Sequence, residues 1–137
     1  MFKQICFFRK HPDMTADEFM DYYEQQHAQL SAKQGRSPSI PNAVRYVRRY
    51  LQPETNPVSG EVHDPGFDCL MEIWWNSRED FENSQKIISS PERIDFIKAD
   101  EARLFASHAN PVCSVIEYDS PMGPNGEQTH VEVHYRD

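Results

Sequence analysis

Residues 2 to 9 read as a strand with apolar side chains on both faces, Phe2, Cys6 and Phe8 on one and Ile5 and Phe7 on the other. His11-Pro12-Asp13 breaks it. Thr15-Ala16-Asp17-Glu18 then has the form of a capping box, in which each side chain satisfies an orphan amide near the other. The helix it opens carries an apolar stripe at Phe19, Tyr22, Tyr23, His27 and Leu30, and Gly35 supplies its stop. Alternation returns at residues 43 to 51, with Val44, Tyr46, Arg48 and Tyr50 on one face and Ala43, Arg45, Val47, Arg49 and Leu51 on the other. Pro53, Pro57, Gly60, Pro65 and Gly66 mark residues 52 to 66 as a surface loop. A third strand follows at 67 to 75, with Phe67, Cys69, Met71, Ile73 and Trp75 opposite Asp68, Leu70, Glu72 and Trp74.

Two helix starts come next. Ser77-Arg78-Glu79-Asp80 opens one that runs to about Ser89. Ser90 caps another with Pro91 at its first position. The inward stripe of that last helix is Ile94, Ile97, Glu101 and Leu104, with Phe96 and Asp100 at its edge. Residues 112 to 118 form a further strand. Pro121 to Gln128 is a linker with an Asn125-Gly126 turn, and Val131, Val133 and Tyr135 alternate with His130, Glu132 and His134 as a tail strand.

The order is β-α-β-β-α(α)-β plus a tail strand. This predicts an α+β, ferredoxin-like domain over residues 1–119 and a linker with tail strand over 120–137. Helices on one side of a four-stranded antiparallel sheet leave the other side open. Apolar residues on both faces of strands 2–9 and 67–75 make that open side apolar as well, and a second copy packed sheet to sheet covers it most simply. A homodimer is therefore expected.

Composition narrows the class. The chain has 137 residues, one domain's worth, and 14 basic against 22 acidic residues give a net charge of −8. Nucleic acid and anionic membranes repel such a surface. No apolar run approaches a membrane span, and the first residues lack the h-region and cleavage site of a signal peptide. Cys6, Cys69 and Cys113 are odd in number, widely spaced and set in apolar segments, so they read as reduced core residues of a cytoplasmic protein.

Several residues have chemistry to offer. His27 sits on the buried stripe, where desolvation favours a neutral imidazole able to accept a proton, or where it is simply a hydrogen-bonded core histidine. Tyr23 lies one turn before it. Asp100 or Glu101 can pair with His27 or His108, or with Arg103 on a solvated helix face. Tyr46 and Trp74 suit stacking on a flat ligand, or plain core packing. Among Arg45, Arg48 and Arg49, one facing inward would take a carboxylate or phenolate. His130 and His134 are four apart on a strand, about 13 Å, too far to share one ion. Phosphate-binding glycine loops, dinucleotide fingerprints and nucleophile elbows are absent from the sequence. No cofactor is expected.

Four segments together resemble the EthD-like family of dimeric α+β barrel proteins. They are the helix from Met14 to Leu30 with its Phe19, Tyr22, Tyr23 and His27-Ala28-Gln29-Leu30, then Pro41-Asn42-Ala43-Val44-Arg45-Tyr46-Val47, then Asp68-Cys69-Leu70-Met71-Glu72-Ile73-Trp74-Trp75, then Asp100-Glu101-Ala102-Arg103-Leu104-Phe105. The resemblance runs from residue 3 to about 118 and leaves out the tail. It implies a dimer with a pocket between sheet and helices in each protomer. Related barrels include cofactor-independent cyclases, dehydratases and decarboxylases, muconolactone-type isomerases, quinone-forming monooxygenases and haem-degrading enzymes, and the fold does not choose among them. The expectation is a cofactor-independent lyase (decarboxylase, dehydratase or cyclase) acting on a hydrophobic aromatic or polyketide-derived acid. His27 is then the general acid/base and matches the family's histidine. Tyr23 and Asp100 orient it, and Tyr46, Trp74, Arg45 and His108 hold substrate. The rivals are a monooxygenase of the same fold on a phenolic or haem substrate, in which His108 could ligate iron, and a non-catalytic dimeric ligand-binding protein.

Overall fold

A computed structural model of the chain describes residues 1–33 and 39–134. Its main sheet contains β1 (Phe2–Phe8), β2 (Ala43–Tyr50), β3 (Cys69–Trp75) and β4 (Val112–Ser114) in the order β2-β3-β1-β4. Every pairing in it is antiparallel. The helices are α1 (Ala16–Tyr22), α2 (Leu30–Lys33), α3 (Arg78–Ile88) and α4 (Pro91–Leu104), with a π-helical turn, Tyr23–His27, after α1. β1 lies between β3 and β4, and β3 between β1 and β2, so each helical connection spans an intervening strand. No helix among the described residues is long and apolar enough to cross a membrane.

Local chemistry sets the element ends. The Thr15 hydroxyl accepts from Glu18 N at 3.1 Å, and the Glu18 carboxylate accepts from Thr15 N at 3.1 Å, which completes the capping box. Ser77 caps α3 by accepting from Asp80 N at 3.0 Å. Ser90 stands at the N-cap of α4, but its hydroxyl makes no cap bond. Its carbonyl accepts from Arg93 N and Ile94 N, both at 3.0 Å, and so takes the donor its side chain was expected to cap. The helical stop expected at Gly35 and the tail residue Tyr135 lie outside the described residues.

The core lies between the sheet and the helices. Cys6, Phe8, Phe19, Tyr23, Cys69, Leu104 and Phe105 form one buried cluster, and Phe2, Ile73 and Trp75 a second that Phe81 flanks. Phe8 and Phe105 stack at 4.0 Å between ring centroids. Burial pushes the Cys6 and Cys69 thiols up to about 12, which makes both inert packing groups. Cys113 departs from expectation: β4 is a short edge strand with every side chain exposed, so this thiol faces solvent.

Three further expectations change. Residues 112–118 do not form one strand. The chain breaks after β4, and β5 (Glu117–Asp119) pairs with β6 (Glu132–His134) as a separate two-stranded sheet. The first helix does not run through at a single pitch, because the π turn interrupts it. Nor is the open side of the main sheet uniformly apolar. Lys3, only 5% exposed, lies 3.7 Å above the Trp74 ring and bonds Glu117 at 2.5 Å. Arg45 stacks on Trp74 at 4.4 Å, the Trp74 indole donates to Glu72 at 2.8 Å, and Arg49 pairs with the same Glu72. The alternation that turns Cys69, Met71, Ile73 and Trp75 toward the helices sends Glu72 and Trp74 to this outer side.

Candidate active site

His27 and Asp100 meet where the π turn packs on α4. His27 Nδ1 and Asp100 Oδ2 are 2.8 Å apart. Tyr22 donates its hydroxyl to the other oxygen, Oδ1, at 2.6 Å. Burial pushes the Asp100 carboxyl up, but hydrogen bonds from His27 and Tyr22, with the charges of His27 and Arg103, outweigh it and hold the group below the usual carboxylate range. Asp100 is therefore ionised at neutral pH and can only accept. His27 must then carry its proton on Nδ1, which leaves Nε2 as the free nitrogen whenever the ring is neutral.

The ring is held on two sides by aromatic edges. Tyr23 lies 5.1 Å away at 76° and Phe105 5.7 Å away at 75°. Only 12% of the His27 side chain and 7% of the Asp100 side chain are exposed, so the pair is largely desolvated yet still open to solvent. Such a setting strengthens hydrogen bonds.

A second polar group stands behind Tyr23. The Tyr23 and Tyr46 hydroxyls are 3.1 Å apart. Burial, with the neighbouring Tyr46, pushes Tyr23 well above the usual phenol range, and burial pushes Tyr46 up to about 12. Both phenols stay neutral at physiological pH and serve as hydrogen-bond donors, not bases. Arg48 holds this end of the site. Its guanidinium forks onto both oxygens of Glu24, with Nε to Oε2 at 3.0 Å, donates to the Tyr46 carbonyl at 2.9 Å and lies 4.5 Å over the Tyr46 ring. Tyr50 donates to Glu24 at 2.5 Å. The Arg48 hydrogen bonds lower Glu24 against the opposing effect of burial, and Tyr50 adds to them. Beside the pair, Glu101 is raised, mainly by burial, while His27 and His108 partly offset it.

Of the residues singled out from the sequence, the structure brings together His27, Asp100, Tyr23 and Tyr46. Asp100 was expected at the edge of α4 but is 5% exposed and faces inward. Glu24, three residues before His27, belongs to Arg48. Trp74 and Arg45 lie on the opposite side of the sheet and stack on each other. His108 is exposed beyond Phe105 and touches the group only through its charge on Glu101. Tyr22, Phe105 and Glu24 carried no assigned role, and Arg48, one of the three arginines expected to offer a substrate its guanidinium, holds the Glu24 carboxylate. A shallow depression of about 350 Å³, lined by Arg9, Lys10, Pro12, Asp68 and Ala106, shares no residue with the histidine pair.

On the exposed hairpin, Asp119, Glu132 and His134 bring one donor atom each within 4.8 Å of one another. Glu132 already contacts His130 at 3.1 Å and His134 at 3.7 Å. Both contacts join residues two apart on one face of the same exposed segment, an ordinary arrangement of solvated charges.

Comparison with known proteins bears on the fold. The EthD domain family matches residues 11–108. No curated protein matches the chain. A solved protein of Arabidopsis thaliana is similar in fold, with a TM-score of 0.55 at 11% identity over 89% of this chain and 100% of that one. An EthD family protein of Bacillus halodurans gives a TM-score of 0.53 at 16% identity over 85% of this chain and 99% of that one. At these identities the likeness concerns architecture alone.

Proposed function

The chain belongs to the EthD domain family, and from that premise we propose that it is an enzyme in which His27, oriented by Asp100, moves a proton to or from a small organic acid. The observation that carries this is the ionised Asp100 on His27 Nδ1, which leaves Nε2 as a proton acceptor at a largely desolvated but reachable position. A general acid/base held this way contributes roughly 10²–10⁴-fold to a rate.

The surroundings suit a cofactor-independent lyase or cyclase acting on an aromatic or polyketide-derived acid. Phe105 and Tyr23 give the site aromatic walls. The neutral phenol of Tyr46, paired with the buried hydroxyl of Tyr23, can hydrogen-bond a carbonyl or enolate oxygen without competing for the proton. In a dehydration or ring closure His27 would take an α proton as the substrate enolises and return it to the departing hydroxyl or to the new alkoxide; in a decarboxylation it would protonate the carbanion left when the bond to carbon dioxide breaks. The proposal includes a homodimer, assembled through the outer side of the sheet, working in the cytoplasm.

The test is a panel of aromatic and polyketide-like carboxylic acids incubated with wild type and His27→Gln, with products read by mass spectrometry. Loss of carbon dioxide or water, or ring closure at unchanged mass, seen with wild type alone supports the lyase or cyclase. Gain of one oxygen atom would point to oxygenation. Tight binding of several acids with no conversion would make the protein a ligand carrier.

A further inference from the structure

Tyr22 and His27 are five residues apart and reach the two oxygens of one carboxylate. In an α-helix that spacing turns about 140° around the axis, which sends the two side chains to different faces. Here the helix widens between them. Ala28 N bonds the Tyr23 carbonyl at 2.7 Å, an i→i+5 bond, and Tyr23–His27 is a π turn. A π turn accommodates one extra residue, so side chains five apart line up as those four apart do in an α-helix. α1 and the π turn thus present Tyr22 and His27 on the same side, both toward Asp100 on α4.

We infer that Tyr22 is a positioning residue for the reaction proposed above, acting through Asp100 on His27. Asp100 can hold His27 in one tautomer only while its own rotation is fixed. Its side chain is 7% exposed, and Oδ1 receives the Tyr22 hydroxyl while Oδ2 faces His27. Without the hydroxyl, a buried carboxylate oxygen loses a short hydrogen bond and the group turns or hydrates to replace it. His27 then loses its Nδ1–H preference, and with it the free Nε2. Tyr23, which the sequence suggested for this task, packs its ring edge-on against His27, but its hydroxyl pairs with that of Tyr46.

The inference rests on the catalytic reading of His27 for its consequence in turnover, but not for its structural content, and the experiment separates the two. Nitrogen chemical shifts of His27 in the full-length protein report the tautomer directly and need no substrate. In wild type the Nδ1–H form dominates. In Tyr22→Phe, which keeps the ring, its ratio to the Nε2–H form falls about threefold or more. In an Asp100→Asn background the same Tyr22→Phe change has no further effect. With a substrate in hand, Tyr22→Phe lowers kcat about tenfold with KM within about twofold, as expected for a group that orients and does not bind. Wild type itself supplies a reading free of folding defects: a downfield hydroxyl proton on Tyr22 in contact with Asp100. An unchanged tautomer ratio in Tyr22→Phe, or a freely exchanging Tyr22 hydroxyl in wild type, overturns the inference. A shifted ratio in a protein that converts no acid leaves Tyr22 as the positioning group and removes the catalytic reading instead.

Discussion

Arg48 grips Glu24 through both carboxylate oxygens and, from the same guanidinium, reaches the backbone carbonyl of Tyr46. One ion pair thereby ties the π turn to β2 and sets the distance between the Tyr46 hydroxyl and Tyr23.

That tie should show in acid. Hydrogen bonds from Arg48, with Tyr50, lower Glu24 in the folded chain relative to its value of about 4.3 in an unfolded one. The stability it contributes is fully present above the unfolded value and is lost as pH falls through the lower, folded one. Asp100 behaves the same way from about 3.9 downward. Glu101 has the opposite sign: raised by burial, it costs stability at neutral pH, and that cost is relieved as pH falls through its folded value. Urea unfolding across the acid range should show Glu24→Gln with a shallower loss of stability below about pH 4. Glu101→Gln should show a gain at pH 7 that shrinks on acidification. Arg48→Met, which leaves Glu24 half-buried without its partner, should cost about 1 kcal/mol at pH 7.

Ser84 offers a test of packing. It is fully buried on α3, and its hydroxyl has no partner among the described residues. A buried hydroxyl without a hydrogen bond carries its desolvation cost with no return. Ser84→Ala should therefore leave the fold unchanged and raise stability by about 1 kcal/mol, a rise of several degrees in the thermal midpoint for a domain of this size. A fall in midpoint would mean that the hydroxyl has a bound water.

The π turn makes a less intuitive prediction. Gln25 is exposed inside it. Deleting Gln25 should return the segment to α-helix and leave Tyr22 and His27 four apart, still on one face. The variant should fold, keep the His27 tautomer and melt no lower than wild type. Deleting Met20 from α1, before the π turn, instead rotates Phe19 relative to Tyr23 by about 100° and should unfold the core. Thermal melts and the His27 nitrogen shifts check both.

Much of this architecture is legible in the residues. Thr15 and Glu18, Ser77, and the alternation of β1 and β3 announce their elements, and the stripe from Phe19 to Leu30 puts His27 toward the core. Less was legible where two readings differ by a small rotation. Asp100 moves from edge to interior with a modest turn of α4, which the weak apolar contrast along that helix does not specify. Trp74 is a large aromatic in a strand with apolar residues on both faces; alternation groups it with Glu72, and which side of the sheet that is shows only when Lys3 and Arg45, from other strands, stack on it. Cys113 alternates like a core residue, but three residues of edge strand bury nothing. Tyr22 was hidden for a different reason. Periodicity of 3.6 assigns it and His27 to the same stripe only loosely, and their common partner becomes visible once the helix widens.

The central claim is that His27 and Asp100 act together on a substrate proton. The direct measurement is kcat/KM for His27→Gln and Asp100→Asn against wild type, on an acid that the wild type converts. Both variants should stay folded, and both should lose roughly 10²–10⁴-fold, chiefly in kcat. The double variant should be no worse than His27→Gln alone, because the aspartate acts only through the histidine. Folded variants that retain wild-type turnover would contradict the account and leave the pair as a structural contact between the π turn and α4.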